Sequence, residues 1–156
     1  MARITAEEKE QKKNQYDALI FQIFTEEGWD AVTYDRLAKE LGIGKSSLQR
    51  YYPSNLFFAT ALQGKVFPLA IQKLDLSSKS AFIQSWLTAY HDENDHIFHE
   101  VIRMLMANIM NHGGAPATKS AIGRLIALLT QTLGEDDAKD AVITALGHTI
   151  YSYIEQ

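Results

Sequence analysis

A chain of 156 residues has room for one or two small domains, and 46% hydrophobic with 22% charged residues excludes a disordered tail. With no cysteine, it can form neither a disulfide framework nor a thiolate metal site, in keeping with a reducing, cytoplasmic setting. The net charge of −4 speaks against a generally basic surface, so any nucleic-acid role must rest on where the cations stand.

Only 3 Pro and 9 Gly interrupt the chain, the β-branched residues are dispersed, and long segments carry helical spacing with none alternating as strands do. The expectation is all-α. No apolar run approaches the roughly 18 residues of a membrane span. The start, MARITAEEKEQ, lacks the apolar stretch of a signal peptide. Neither a membrane partner nor a cofactor is expected.

The first helix is expected from about Thr5 to Glu27. Thr5 with Glu8 makes a capping-box pattern, and Tyr16, Leu19, Ile20, Ile23 and Phe24 form its apolar stripe. Lys9, Lys12 and Lys13, in the polar first half, suit either a phosphate backbone or plain solvation. Gly28 stops the helix, and Trp29 and Val32 close a small core.

Residues 32–52 read as two short helices joined by a tight turn. Thr33 can cap the first, along which Tyr34, Leu37, Ala38 and Leu41 fall on one face. Gly42 stands where a chain leaving a helix needs a left-handed residue, and Ile43 is the apolar residue such a turn buries. A second short helix is expected from Gly44 to Tyr52, with Leu48 and Tyr52 inward and Pro53 ending it. Ser46, Ser47, Gln49 and Arg50 then face outward, flanked by Lys45 and Tyr51. Small hydroxyls, an amide and cations suit a surface laid into a DNA major groove.

The run VT…LAKELGIGKSSLQRYYPS, with the upstream Phe24-Thr25-Glu26-Glu27-Gly28-Trp29, resembles the helix-turn-helix of the tetracycline-repressor (TetR) family of bacterial transcription regulators. The resemblance covers about a third of the chain at several separate points. It implies a dimer reading a palindromic double-stranded DNA operator, of repressor type, released by a small-molecule effector. Lys45, Ser46, Ser47 and Gln49, with Gly44 at the helix start, would approach base edges. Thr33, Tyr34, Arg50, Tyr51, Ser54 and Asn55 would position phosphates, with help from Arg36. Two departures stand out: Gln49 replaces a Tyr and Asn55 replaces a Lys. The lost cation should flatten the salt dependence of binding by about one charge unit.

Ser54 is expected to cap a fourth helix, about Asn55 to Leu74, with Gly64 and Pro68 suggesting a bend. The resemblance makes this helix the lever between ligand site and head. Four more helices follow: Lys79 to His91, Asp95 to Met110, Ala117 to Leu133 and Asp136 to Ile154. Asn111 to Pro116 is the clearest break.

The last two helices are apolar around much of their circumference, and Leu128, Ile143, Tyr151 and Ile154 lie outside their main stripes. Faces that one protomer cannot hide mark an interface. The expected homodimer is a four-helix bundle through Leu125, Leu129, Ala138, Val142, Ala145, Thr149 and Tyr153. The domains are then 1–55, DNA-binding, and 56–156, effector-binding and dimerising.

Candidate effector-lining residues are Phe67, Trp86, Tyr90, Phe98, His99, Ile102, Met106 and Met110, near the polar Gln63 and Asn108; for each, plain core packing is the alternative. His96 and His99 are spaced i, i+3 among acids but form no tight metal motif, and no metal site is expected. Gly42-Ile43-Gly44-Lys45-Ser46 matches only the end of a phosphate-binding loop, because Lys39 occupies the place of its first Gly. No catalytic residues, and so no enzyme, are expected. The acidic balance, eight cations against nine carboxylates in residues 1–55, together with Gln49 and Asn55, leaves a rival. That rival is a dimeric helical adaptor binding a protein instead of DNA.

Overall fold

The structure, a computed structural model, describes residues 3–156. Among them lie eight α-helices, one short 3-10 turn at Trp29–Ala31 and no strand. The helices are α1 (Ala6–Glu27), α2 (Tyr34–Leu41), α3 (Lys45–Gln49) and α4 (Asn55–Ile71), then α5 (Lys79–Tyr90), α6 (Ile97–His112), α7 (Pro116–Leu133) and α8 (Glu135–Ser152). The chain divides into two units, one through Lys65 and one from Val66, the division falling inside α4.

Local chemistry sets the helix ends. The Thr5 hydroxyl accepts from the Glu8 amide while the Glu8 carboxylate accepts from the Thr5 amide, closing both donors at the start of α1. Thr33 and Ser78 cap α2 and α5 in the same one-sided way, accepting from Arg36 and Ala81. Pro116 takes the first turn of α7, where its missing N–H leaves no bond unmade. Three acids, Glu135, Asp136 and Asp137, open α8 against the positive end of its dipole.

Two helices end three residues short of expectation. The second helix of the motif stops at Gln49, because the residue before Pro53 avoids helical geometry and the Tyr51 and Tyr52 amides both turn back to the Leu48 carbonyl, at 3.0 Å each. Similarly, α4 stops at Ile71 and closes in a tight turn, Leu74 donating to the Ile71 carbonyl at 3.0 Å.

The first unit buries Tyr16, Ile20, Ile23 and Phe24 of α1, Val32, Leu37, Leu48, Tyr52, and Phe58, Ala59 and Leu62 of α4. Each large side chain so buried stabilises the fold by about 1.5–3 kcal/mol, which lets five helical residues of α3 hold a fixed position. In the second unit α8 packs against both α5 and α7. Its Ala138, Ala141, Val142 and Ala145 are buried in one core with Phe82, Trp86, Phe98, Ile102, Leu125 and Leu129. The Trp86 indole N–H donates to the Thr149 hydroxyl at 2.8 Å, and that hydroxyl donates to the Ala145 carbonyl at 2.8 Å. A buried polar pair is thereby fully satisfied.

This packing places most of the expected dimer-contact residues inside the protomer. Leu125, Leu129, Ala138, Val142, Ala145 and Thr149 are buried in the protomer's own core. Small residues let α5 and α7 approach α8 closely, so that face is turned inward. The face left outside carries Ile143, Ile150, Tyr151 and Ile154, each more than half exposed. Of the expected set, only Tyr153 is exposed.

Candidate nucleic-acid interface

Gly42 makes the turn. At φ 66°, ψ 32° it sits in the left-handed region that glycine adopts without steric cost, and the Ile43 amide closes back on the Ala38 carbonyl at 3.1 Å. Ile43 is half-buried. Gly44, extended at φ −77°, ψ 155°, opens α3.

Behind α3, Leu48 and Tyr52 are completely buried. Tyr52 is held at both ends: its hydroxyl donates to the Asp17 carboxylate on α1, and its carbonyl accepts from the Tyr34 hydroxyl on α2. Rings complete the brace, with Phe58 at 4.8 Å from Tyr34 and 5.3 Å from Tyr52. Burial first, then the bond to Asp17, raises the Tyr52 pKa far above the ordinary phenol value. Tyr34 is raised as well, by burial. Tyr51 is half-buried, edge-on to Tyr16 at 5.1 Å, with the Lys9 ammonium 5.7 Å from its ring.

In front, Lys45, Ser46, Ser47, Gln49 and Arg50 are all exposed. The polar face expected from spacing is therefore free on the surface of its unit. Gly44, Thr33 and Asn55 are exposed beside it, and Ser54 is half-buried. The Thr33 hydroxyl is occupied as the cap of α2.

Several cations here carry partners that spacing alone did not show. Lys45 pairs with Asp35 across the turn. The Arg36 guanidinium grips Glu27 through two bonds of 2.9 and 2.5 Å and donates from Nε to Glu40 at 3.0 Å. These contacts, Glu27 before Glu40, raise the Arg36 pKa, and the Arg36 bond lowers that of Glu27. Of these acids only Glu40, four residues beyond Arg36 on one helix, was legible in advance. Asp35, Glu27 and Asp17 come from elsewhere in the chain or from the opposite side of the turn.

The expected effector-lining residues lie in the second unit. Trp86, Tyr90, Phe98 and Ile102 are buried, and Phe67, His99 and Met106 are half-buried. Met110, near the end of α6, is 83% exposed. The Tyr90 hydroxyl donates to that of Tyr153 at 2.6 Å, and the His99 Nδ1 lies 3.0 Å from the Tyr90 carbonyl. Arg124 lies over the Phe67 ring at 4.3 Å. No helix among the described residues is long and apolar enough to cross a membrane.

A short helix with a polar outer face, set by a left-handed glycine against a capped partner helix, defines a helix-turn-helix DNA-binding module. The comparisons with known families agree. The family of bacterial regulatory proteins described as tetR matches residues 19–55, and the tetracycline repressor LuxT C-terminal domain matches residues 63–153. No curated protein matches the chain. The second match spans more than half the sequence, and the chain belongs to the TetR family of transcription regulators. Such regulators are DNA-binding proteins and generally not enzymes.

Proposed function

We propose that this regulator is a cytoplasmic repressor that binds a palindromic operator as a homodimer and releases it when a small molecule enters the C-terminal domain. The observation that carries the reading is the outer face of α3, polar and exposed over a fully buried Leu48 and Tyr52. Lys45, Ser46, Ser47 and Gln49 are assigned to base edges, with the Gly44 backbone at the groove. Arg50, Tyr51, Thr33, Ser54 and Asn55 are assigned to phosphates. Tyr34 and Arg36, already bonded within the protein, act by holding the motif in shape.

In functional terms, residues 1–55 form the reading head and 56–156 the effector and dimerisation part, with α4 as the lever between them. The effector favours a dimer whose recognition helices are wrongly spaced for successive major grooves, and it does so by binding that state more tightly. Phe67, Trp86, Tyr90, Phe98, His99, Ile102 and Met106 are the assigned lining. The dimer face is the exposed stripe of α8.

One observation favours the adaptor reading instead: the carboxylates of Asp35, Glu27 and Glu40 neutralise Lys45 and Arg36 beside the groove face. A mobility-shift assay on genomic fragments at two salt concentrations decides between the two. For the repressor, a fragment shifts, and Lys45→Ala and Arg50→Ala each weaken the shift by roughly tenfold with helicity unchanged. Full affinity in both variants removes the groove assignment, and no shifted fragment at low salt favours the adaptor.

A further inference from the structure

The inward stripe of α1 continues past the point where the core of the first unit stops. Tyr16, Ile20, Ile23 and Phe24 are its buried part. Counting back from Tyr16, Lys13, Lys12 and Lys9 fall at i−3, i−4 and i−7, so the same face runs on as lysine. At about 100° per residue these three lie within about 60° of Tyr16, whereas Glu7 and Glu10 lie about 120° or more away. Glu8, to one side, is engaged with the Thr5 amide. Every residue of α1 before Tyr16 is exposed, so roughly ten residues of helix, about 15 Å, stand clear of the core. The box of Thr5 and Glu8 pins its start.

The lysine face meets the residues that follow α3. The Lys9 ammonium lies 5.7 Å from the centre of the Tyr51 ring, and that of Lys13 lies 5.2 Å from the centre of the Tyr52 ring. A ring holds an ammonium in place without neutralising it. Lys13 is also bound to Asp17 at 3.1 Å, but Lys9, Lys12 and the exposed Arg50 pair with no carboxylate among the described residues. Within the motif, by contrast, Lys45 and Arg36 are matched by Asp35, Glu27 and Glu40. The C-terminal end of α3 thus carries uncompensated positive charge from two elements, Arg50 in its own chain segment and Lys9 beside Tyr51. Lysine is a compact charge on a flexible stem, which suits phosphates and reads no base. From this we infer that Lys9 and Lys12, together with Arg50, form a second line of phosphate contacts, taking the duplex backbone beside the groove that α3 enters. This rests on the DNA reading above and adds a sequence-independent surface on α1 to it.

The test is a mobility shift of the full chain on a genomic fragment that the parent binds, and on a scrambled duplex of equal length, at about 50 and 200 mM KCl. Lys9→Gln with Lys12→Gln should bind the fragment roughly tenfold more weakly at about 50 mM, with that gap largely closed at about 200 mM. The slope of log affinity against log salt should become shallower by about 2. The scrambled duplex should lose the same factor, because phosphates carry no sequence. Lys9→Arg with Lys12→Arg keeps the charges and should keep the slope, and Lys139→Gln, on α8, should change nothing. Lys9 and Lys12 are exposed, so the Gln variant should melt with the parent. A Gln variant that melts well below the parent, or binds less with an unchanged slope, makes Lys9 a brace for Tyr51 and overturns the inference. Parental affinity and slope in that variant overturn it as well, while the groove face of α3 stays as assigned. A parent that shifts no fragment at about 50 mM removes the DNA reading itself and this surface with it, leaving the lysines to an acidic protein partner.

Discussion

At the scale of single residues, Tyr52 carries the most. It is buried, donates to Asp17, accepts from Tyr34 and backs the face assigned to DNA. Tyr52→Phe keeps the ring and loses the hydroxyl, and at neutral pH chemical denaturation should show a loss of about 1–2 kcal/mol. The pH dependence has a definite sign. Because its pKa is raised on folding, Tyr52 holds its proton more tightly in the folded chain. Its contribution is complete below the unfolded value of about 10 and is lost as pH climbs toward the folded value. The parent should therefore lose stability faster than Tyr52→Phe above about pH 10, narrowing the gap between them. Tyr34 and Tyr90, also raised by burial, keep some alkaline slope in both proteins. A gap that stays constant up to strongly alkaline pH would mean that Tyr52 is not held buried and protonated in solution.

At the scale of elements, the turns and caps decide where each helix stops, and two glycines separate backbone strain from packing. A Cβ at Gly42 or Gly64 meets nothing within 4 Å, but only Gly42 has positive φ. Gly42→Ala should cost about 1–2 kcal/mol from left-handed strain alone. Gly64→Ala, inside α4, should gain about 0.5–1 kcal/mol. Opposite shifts in denaturant midpoint are the expected outcome, and equal shifts would contradict the turn geometry. These ends were legible because caps and breakers act locally: Thr5 with Glu8, Thr33 and Gly42 each do what their neighbours in sequence dictate. The inward set Leu48 and Tyr52 was legible for the same reason, as one face of one short helix. What stayed hidden depends on partners distant in sequence. The inward face of α8 could not be chosen while most of its circumference was apolar, although Ala138, Ala141, Val142 and Ala145, at i, i+3, i+4 and i+7, carried a usable hint of close helix packing. Asp17 under Tyr52 and Glu27 on Arg36 left no periodic trace at all.

At the scale of the whole molecule, the question is how a protein with weak net attraction for DNA would hold an operator. A single head whose cations are partly neutralised by Asp35, Glu27 and Glu40 has little non-specific pull. Two heads on one duplex multiply their affinities through effective concentration, so function depends on the dimer more steeply than in a strongly basic protein. The structure leaves one surface suited to this. Ile143, Ile150 and Tyr151 follow one another at helical spacing along α8, with Ile154 just past its end, and Gly147 among them lets a second helix come close. Replacing Ile143 and Ile150 together by Asp should leave the protomer folded, since both are more than half exposed, but charge the centre of that stripe. At micromolar concentration the parent should sediment as a dimer and the double variant as one protomer. Operator affinity should fall by a factor on the order of 10²–10⁴, with each head still folded by circular dichroism. A parent that sediments as a monomer, or a double variant that still pairs, would move the interface off this face. A monomeric variant that keeps full operator affinity would show that one head suffices and that the two-fold reading of the site is wrong.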